Sequence, residues 1–140
     1  MNTFIKKLTI NYKTLEEFQL FNKKAADPLA ITEELQHDLI ENSLSSSFFG
    51  LYKEEKLVGR MQLNNYMEHP SSEKDYLELC KVEILPEYQK LGLGKKFISF
   101  IKQFNKPIKT YPLNETNSFW EKLQFQPVKE EANTSYIWIP

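Results

Sequence analysis

This 140-residue chain has one cysteine, two histidines and four glycines. The lone thiol, Cys80, excludes an internal disulfide and suits a reducing cytoplasm. One cysteine and two separated histidines are too few ligands for a structural zinc site, so no metal is expected. No apolar run approaches the roughly eighteen residues of a membrane span. The start, Met1-Asn2-Thr3-Phe4-Ile5-Lys6-Lys7, has no apolar signal core after a basic stretch. The expected location is therefore the cytoplasm, away from any membrane. A net charge of −1 gives no broad attraction to nucleic acid or to an anionic surface.

What is present favours a folded protein. Hydrophobic residues make up 41% of the chain and aromatics 14%, and its length suits one domain over residues 1–140. Phe4–Tyr12 reads as a strand. Thr14 is the expected N-cap of a helix through Leu15, Phe18 and Phe21, with Glu17 at capping-box spacing. Asp27-Pro28 interrupts it, and a second helix from Leu29 to Asn42 carries Leu35, Leu39 and Ile40 along one side. Ser43–Ser47 is a polar connection. Phe48–Tyr52 and Leu57–Leu63 form a hairpin across the solvated tip Lys53–Lys56. A polar loop, Tyr66–Lys74, leads into a long strand, Tyr76–Leu85, closed by Pro86. Helical spacing of Phe97, Ile98, Ile101 and Phe104 follows. Then come a strand at Pro107–Tyr111, a helix at Asn114–Leu123, and terminal strands at Phe125–Lys129 and Ser135–Ile139. The order βααβββαβαββ predicts a mixed α/β (α+β) domain, with about six to seven strands in one central sheet and about four helices.

Two of the four glycines, Gly92 and Gly94, fall in Gln89-Lys90-Leu91-Gly92-Leu93-Gly94-Lys95, between the long strand and a helix. Such a turn lets main-chain N–H groups approach an anion, and the helix N-terminus adds its own donors and dipole. Lys95 and Lys96 would supply cations beside them. The bland alternative is an ordinary strand–turn–helix junction. A dinucleotide fingerprint fails because position 97 is Phe, and a Walker A loop fails because Lys96 stands where Ser or Thr is needed.

The segment instead resembles the Gln/Arg-x-x-Gly-x-Gly/Ala signature of the GNAT superfamily of N-acetyltransferases. The lead-in Val82-Glu83-Ile84-Leu85-Pro86-Glu87-Tyr88-Gln89 resembles that family's strand end. Phe119-Trp120-Glu121-Lys122-Leu123-Gln124-Phe125 resembles its Tyr-Glu-Lys-Leu-Gly-Phe segment. The likeness covers Tyr76 to Phe125, in the family's order.

The resemblance implies a cosubstrate, acetyl-CoA, and an amine that attacks its thioester directly. The pyrophosphate would sit on Gln89, Lys90, Leu91, Gly92, Leu93, Gly94 and Lys95. The pantetheine arm would run along Val82, Glu83 and Ile84 like an added strand. The long strand and Pro107–Tyr111, parallel to it, would splay apart to form the CoA cleft. Glu78, eleven residues before Gln89, is the candidate general base, and alternation puts it on the face of Cys80, Val82 and Ile84 unless a bulge intervenes. Apolar neighbours there would raise its pKa towards a useful range. A solvent-facing or lysine-paired glutamate is the alternative, and Glu83 is the runner-up. Trp120 stands where many relatives carry a tyrosine acid, and an indole N–H is no practical acid. Tyr111 and Tyr136 are the remaining candidates for that role. Trp120 packs either on the cofactor or in the core. Gln124 replaces the family's glycine, and Asn114 is either a pantetheine contact or a helix N-cap.

Several residues carry less. Cys80 reads as a small buried hydrophobe, since direct attack needs no acyl-cysteine. His37 and His69 read as solvated. The acidic loop before the long strand could border a cationic acceptor. Amino acid, polyamine, aminoglycoside, peptide N-terminus and protein lysine all remain open as acceptors. A homodimer is compatible with the family. The rival reading is a noncatalytic acyl-CoA-binding or sensor module, and a third is a structural protein whose cleft no longer takes CoA.

Overall fold

The computed structural model describes residues 2–42, 46–67, 75–112, 117–129 and 134–140. Strand β1 (Thr3–Leu8) leads to helices α1 (Tyr12–Lys24) and α2 (Ile31–Glu41). Strands β2 (Ser46–Lys53), β3 (Lys56–Met67) and β4 (Asp75–Ile84) follow, then one 3-10 turn (Pro86–Tyr88) and helix α3 (Leu93–Lys102). Strand β5 (Ile108–Thr110), helix α4 (Asn117–Lys122) and strands β6 (Gln126–Lys129) and β7 (Thr134–Trp138) complete the chain. The strands form one mixed sheet in the order β1-β2-β3-β4-β5-β7-β6, with β4 and β5 parallel.

The elements begin and end where local chemistry dictates. The first strand stops at Leu8, short of the expected Tyr12, because Asn11 is the cap of α1. Its side chain accepts from the Thr14 N–H at 2.9 Å, so Thr14 lies inside the first turn and is not the cap. Glu17, expected to close a capping box, instead accepts from the Tyr52 hydroxyl at 2.7 Å. Lys23 and Lys24 complement the dipole in the last turn. Helix α2 begins at Ile31 and buries Ile31, Thr32, Leu35 and Asp38. The expected stripe of Leu35, Leu39 and Ile40 is therefore rotated, and Ile40 is solvent-exposed. Ser46 and Ser47 already belong to β2, and Tyr66 and Met67 to β3, so both expected loops are shorter. Phe104 falls past the end of α3 and is exposed. The β2–β3 tip is anchored: Lys53 and Lys56 lie over the Tyr88 ring, and Lys56 Nζ donates to its hydroxyl at 3.3 Å.

Two cores sandwich the sheet. One joins Leu8, Leu15, Phe18, Ile31, Leu35, Phe48 and Tyr52 beneath α1 and α2. The other joins Met61, Leu63, Leu77, Leu79, Phe97, Ile98, Ile101, Trp120 and Phe125 beneath α3 and α4. Gly59 permits the second: a Cβ there would come within 2.7 Å of Ile84 and 3.0 Å of Phe97. The segment 43–45, the acidic loop with His69, the turn at 130–133 and Asn114 lie outside the described residues.

Candidate cofactor cleft and active site

The site begins with a ladder that stops early. Strands β4 and β5 pair only at Leu77–Ile108, Glu78–Lys109 and Leu79–Thr110. The Thr110 hydroxyl closes this stretch by donating to the Leu79 carbonyl at 3.0 Å. Beyond it, Lys81 to Ile84 remain paired with β3 on one side, from Gln62–Lys81 to Gly59–Ile84, while among the described residues no strand covers the other side of Cys80 to Ile84. A peptide edge left open in this way can accept an extended amide-bearing ligand. Val82, Glu83 and Ile84 lie on that edge.

The strand leads into the glycine turn. Gln89 donates its side-chain amide to the Ile84 carbonyl at 3.0 Å, which fixes the lead-in. Lys90 and Gly92 both adopt left-handed backbone, φ 64° and 80°, and Gly92 is the N-cap of α3. Gly92 is required for its conformation and not for space, since a Cβ there would meet nothing within 4 Å. Gly94 sits in the first turn of α3, and a Cβ on it would meet only the Phe119 ring, at 3.4 Å. The first intrahelical N–H bond of the turn is Lys96 to the Gly92 carbonyl, 3.0 Å. The N–H groups of Leu93, Gly94 and Lys95 thus open the helix unbonded within it, beside the dipole's positive end. Leu93 is buried and anchors the turn, whereas Leu91 is exposed.

Of the two lysines expected beside the turn, only Lys95 stays there. Lys96 reaches across to β1, donating to the Thr3 carbonyl at 2.9 Å and to the Thr3 hydroxyl. Lys90 and Lys95 are exposed and have no ion-pair partner among the described residues. Phe119, which sequence reasoning passed over in favour of its neighbour Trp120, walls the turn opposite Gly94. An aromatic preceding Trp120 by one residue was the available signal.

Glu78 does not share a face with Val82 and Ile84. Gln62 pairs with Lys81 and Leu63 with Leu79, so Cys80 is an extra residue bulged out of β4. The bulge inverts the alternation. Leu77, Leu79, Val82 and Ile84 all face the α3 core, and Glu78, opposite Asn64, faces the α2 side. Its side chain is half-buried. Burial, with the Glu78 charge adding to it, pushes the Cys80 thiol up to about 12, so it stays protonated and a poor nucleophile.

Glu83 is engaged. Its carboxylate accepts from Arg60 Nε at 3.0 Å and Nη2 at 2.8 Å, and from the Leu29 N–H at 3.1 Å. With its carboxylate committed to these partners, Glu83 has its main chain left for a ligand. Trp120 lies in the core, 5% exposed, edge-on to Phe119 and Phe125. Tyr136 is buried in the same core, and Tyr111 is exposed at the end of β5. Gln124 keeps the geometry of the glycine it replaces, with φ 71°. The Phe125 N–H returns to the Trp120 carbonyl and the Gln124 N–H to that of Glu121, both at 3.0 Å, closing α4 in a Schellman turn. His37 is exposed. Among the described residues no group of three His, Cys, Asp or Glu side chains could hold a metal ion, and no helix is long and apolar enough to cross a membrane.

An open strand edge running into a left-handed glycine and unbonded helix amides fits an amide-bearing chain that ends in phosphates. Comparisons with known proteins agree. The Acetyltransferase (GNAT) family model matches residues 12–107. The chain is 42% identical over 147 residues to the uncharacterized N-acetyltransferase YlbP of Bacillus subtilis, covering 99% of this chain and 92% of that protein. It is 43% identical over 141 residues to an uncharacterized N-acetyltransferase of Bacillus mycoides, covering 97% and 88%. The crystal structure of Bacillus subtilis YlbP in complex with coenzyme A superposes with a TM-score of 0.74 at 39% identity, covering 99% and 97% of the two chains.

Proposed function

We propose a mechanism from one premise: the chain belongs to the GNAT acetyltransferase family. It is an N-acetyltransferase that moves an acetyl group from acetyl-CoA to a primary amine. The observation that carries this reading is the bare edge of β4 from Cys80 to Ile84, continuous with the Gly92 turn. The binding of coenzyme A by YlbP supports the same cosubstrate here.

The thioester supplies the activated acyl group, and the chain positions it. Main-chain groups of Val82, Glu83 and Ile84 hold the pantetheine arm as an added strand would. The turn Lys90–Lys95 takes the pyrophosphate through main-chain N–H groups, with Lys90 and Lys95 as cations and Gln89 bracing the lead-in. Phe119 walls the turn opposite Gly94, and Trp120 packs edge-on behind it in the core. Asn114 is the candidate pantetheine contact from the segment before α4. Glu78 acts as the base. It takes a proton from the acceptor's ammonium, and the free amine forms a C–N bond at the thioester carbonyl to give a tetrahedral intermediate. As the C–S bond breaks, the nitrogen's second proton passes to the departing thiolate or to solvent, leaving the amide and free CoA. That thiolate is a fair leaving group, so no acid is required at Trp120. Tyr111, exposed at the end of β5, is the candidate proton donor. The enzyme works in the cytoplasm, in keeping with its single cysteine, and a homodimer is tested by sedimentation.

Calorimetric titration with acetyl-CoA, with ATP as control, tests the reading. Selective one-to-one binding is the expected result. A folded protein that binds neither, or binds ATP equally well, overturns the cradle.

A further inference from the structure

On the α2 side of the sheet, beside Glu78, two buried oxygens find no donor among the described residues. Asp38 and Gln62 are each 3% exposed, yet among the described residues Asp38 Oδ2 and Gln62 Oε1 have no hydrogen-bond partner. Both side chains converge on Ser46. Gln62 Nε2 donates to the Ser46 hydroxyl at 3.1 Å, and the Ser46 N–H donates to Asp38. That hydroxyl in turn donates to Asn64 Oδ1 at 2.6 Å, and Asn64 lies directly opposite Glu78. Glu34, one helical turn before Asp38, is half-buried at the same seam. Lys81, on the strand opposite Gln62, donates to neither orphaned oxygen.

Both orphans are acceptors. Burying a carboxylate oxygen and an amide oxygen together without a donor costs free energy that native structures rarely leave uncompensated. A group rich in N–H donors and positive charge satisfies both at once, and an alkylammonium is the simplest. We propose, resting on the acetyltransferase reading above, that Asp38 and Gln62, with Glu34 beside them, bind the second ammonium of a diamine acceptor whose first amine is presented to Glu78. The span is set by the sheet. Glu78 lies opposite Asn64, two residues along β3 from Gln62 on the same face, so a short alkyl spacer of the length found in putrescine or cadaverine would join the two positions. The carboxylates Glu34, Asp38 and Glu78 outnumber Lys81, so the seam prefers a dication to a monoamine.

The test measures thiol release from acetyl-CoA by the whole protein with putrescine, cadaverine and butylamine, after acetyl-CoA binding has been established by calorimetry. Putrescine or cadaverine is expected to exceed butylamine at least about tenfold in kcat/KM. Asp38→Asn is expected to raise the diamine KM about tenfold, with kcat and acetyl-CoA affinity little changed. If that variant does not fold, Gln62→Met gives the same readout. Equal use of butylamine, an unmoved diamine KM, or no turnover of either diamine by a protein that binds acetyl-CoA overturns the proposal. In those cases the orphans hold an ordered water alone. Failure to bind acetyl-CoA at all strikes the cosubstrate reading instead.

Discussion

Two polar seams lie on one side of the sheet, under the same pair of helices, and they are finished differently. At one end Arg60, wholly buried, has a partner for every N–H. Nε and Nη2 donate to Glu83, Nη1 to the Phe18 carbonyl and to Thr32 Oγ1 at 2.8 Å, and Nη2 to Asn22 at 2.7 Å. The rings of Phe18 and Phe21 flank its guanidinium at 5.1 and 4.3 Å. At the other end Asp38 and Gln62 meet at Ser46 with one oxygen each unanswered among the described residues. The first seam is closed and fastens α1, α2 and β4 together. The second is open and faces the strand that carries Glu78. A satisfied buried charge marks architecture, whereas the unanswered acceptors are the feature on which the proposed diamine site rests.

Breaking the closed seam should have the largest effect. Arg60→Met leaves the Glu83 carboxylate without its cation and should cost about 3–5 kcal/mol in urea unfolding. A loss below about 1 kcal/mol would remove the contrast between the seams. At the open seam, Glu78→Gln should lower turnover at neutral pH by about a hundredfold or more, with acetyl-CoA affinity unchanged. Turnover that is equal to wild type across the pH range would take Glu78 out of the mechanism. Asp38→Asn should instead stabilise the protein by about 1–2 kcal/mol at neutral pH, because it removes a buried, unanswered carboxylate. Burial raises the Asp38 pKa above its unfolded value, so the folded state binds the extra proton. Wild-type stability should therefore fall as pH rises through the window just above the ordinary carboxylate range. The Asn variant should lack that slope, and an identical slope in both proteins would show that Asp38 is not its source. The finest comparison removes one polar side chain from each seam. Thr32→Val should cost about 1–1.5 kcal/mol, while Gln62→Met should be nearly neutral; equal losses would make the seams alike.

The sequence made part of this arrangement legible. Alternation revealed the hairpin and β4, and the paired glycines revealed the turn, because strand period and left-handed backbone leave marks in residue type. The bulge at Cys80 leaves none: nothing in Glu78-Leu79-Cys80-Lys81 distinguishes it from regular strand, yet it separates Glu78 from Val82 and Ile84. Arg60, between Gly59 and Met61, carries no sign of its burial in its own segment. Its burial depends on partners in α1, α2 and β4 that only the tertiary fold assembles. Lys96 was misplaced for the same reason, since the nearness of β1 to α3 is not written in either segment. Gln124 shows the converse: its place after Leu123 held the helix ending although the glycine was gone.

The ladder between β4 and β5 has a mechanical consequence. Three residue pairs, with the Leu77 N–H bonded to the Pro107 carbonyl at 2.8 Å, join a four-stranded half of the sheet to a three-stranded one. A ligand laid along the bare edge becomes a temporary eighth member of the sheet, and its departure returns the joint to its narrowest width. Each catalytic cycle would then splice and unsplice the two halves, so that the enzyme's stiffness rises and falls with its occupancy.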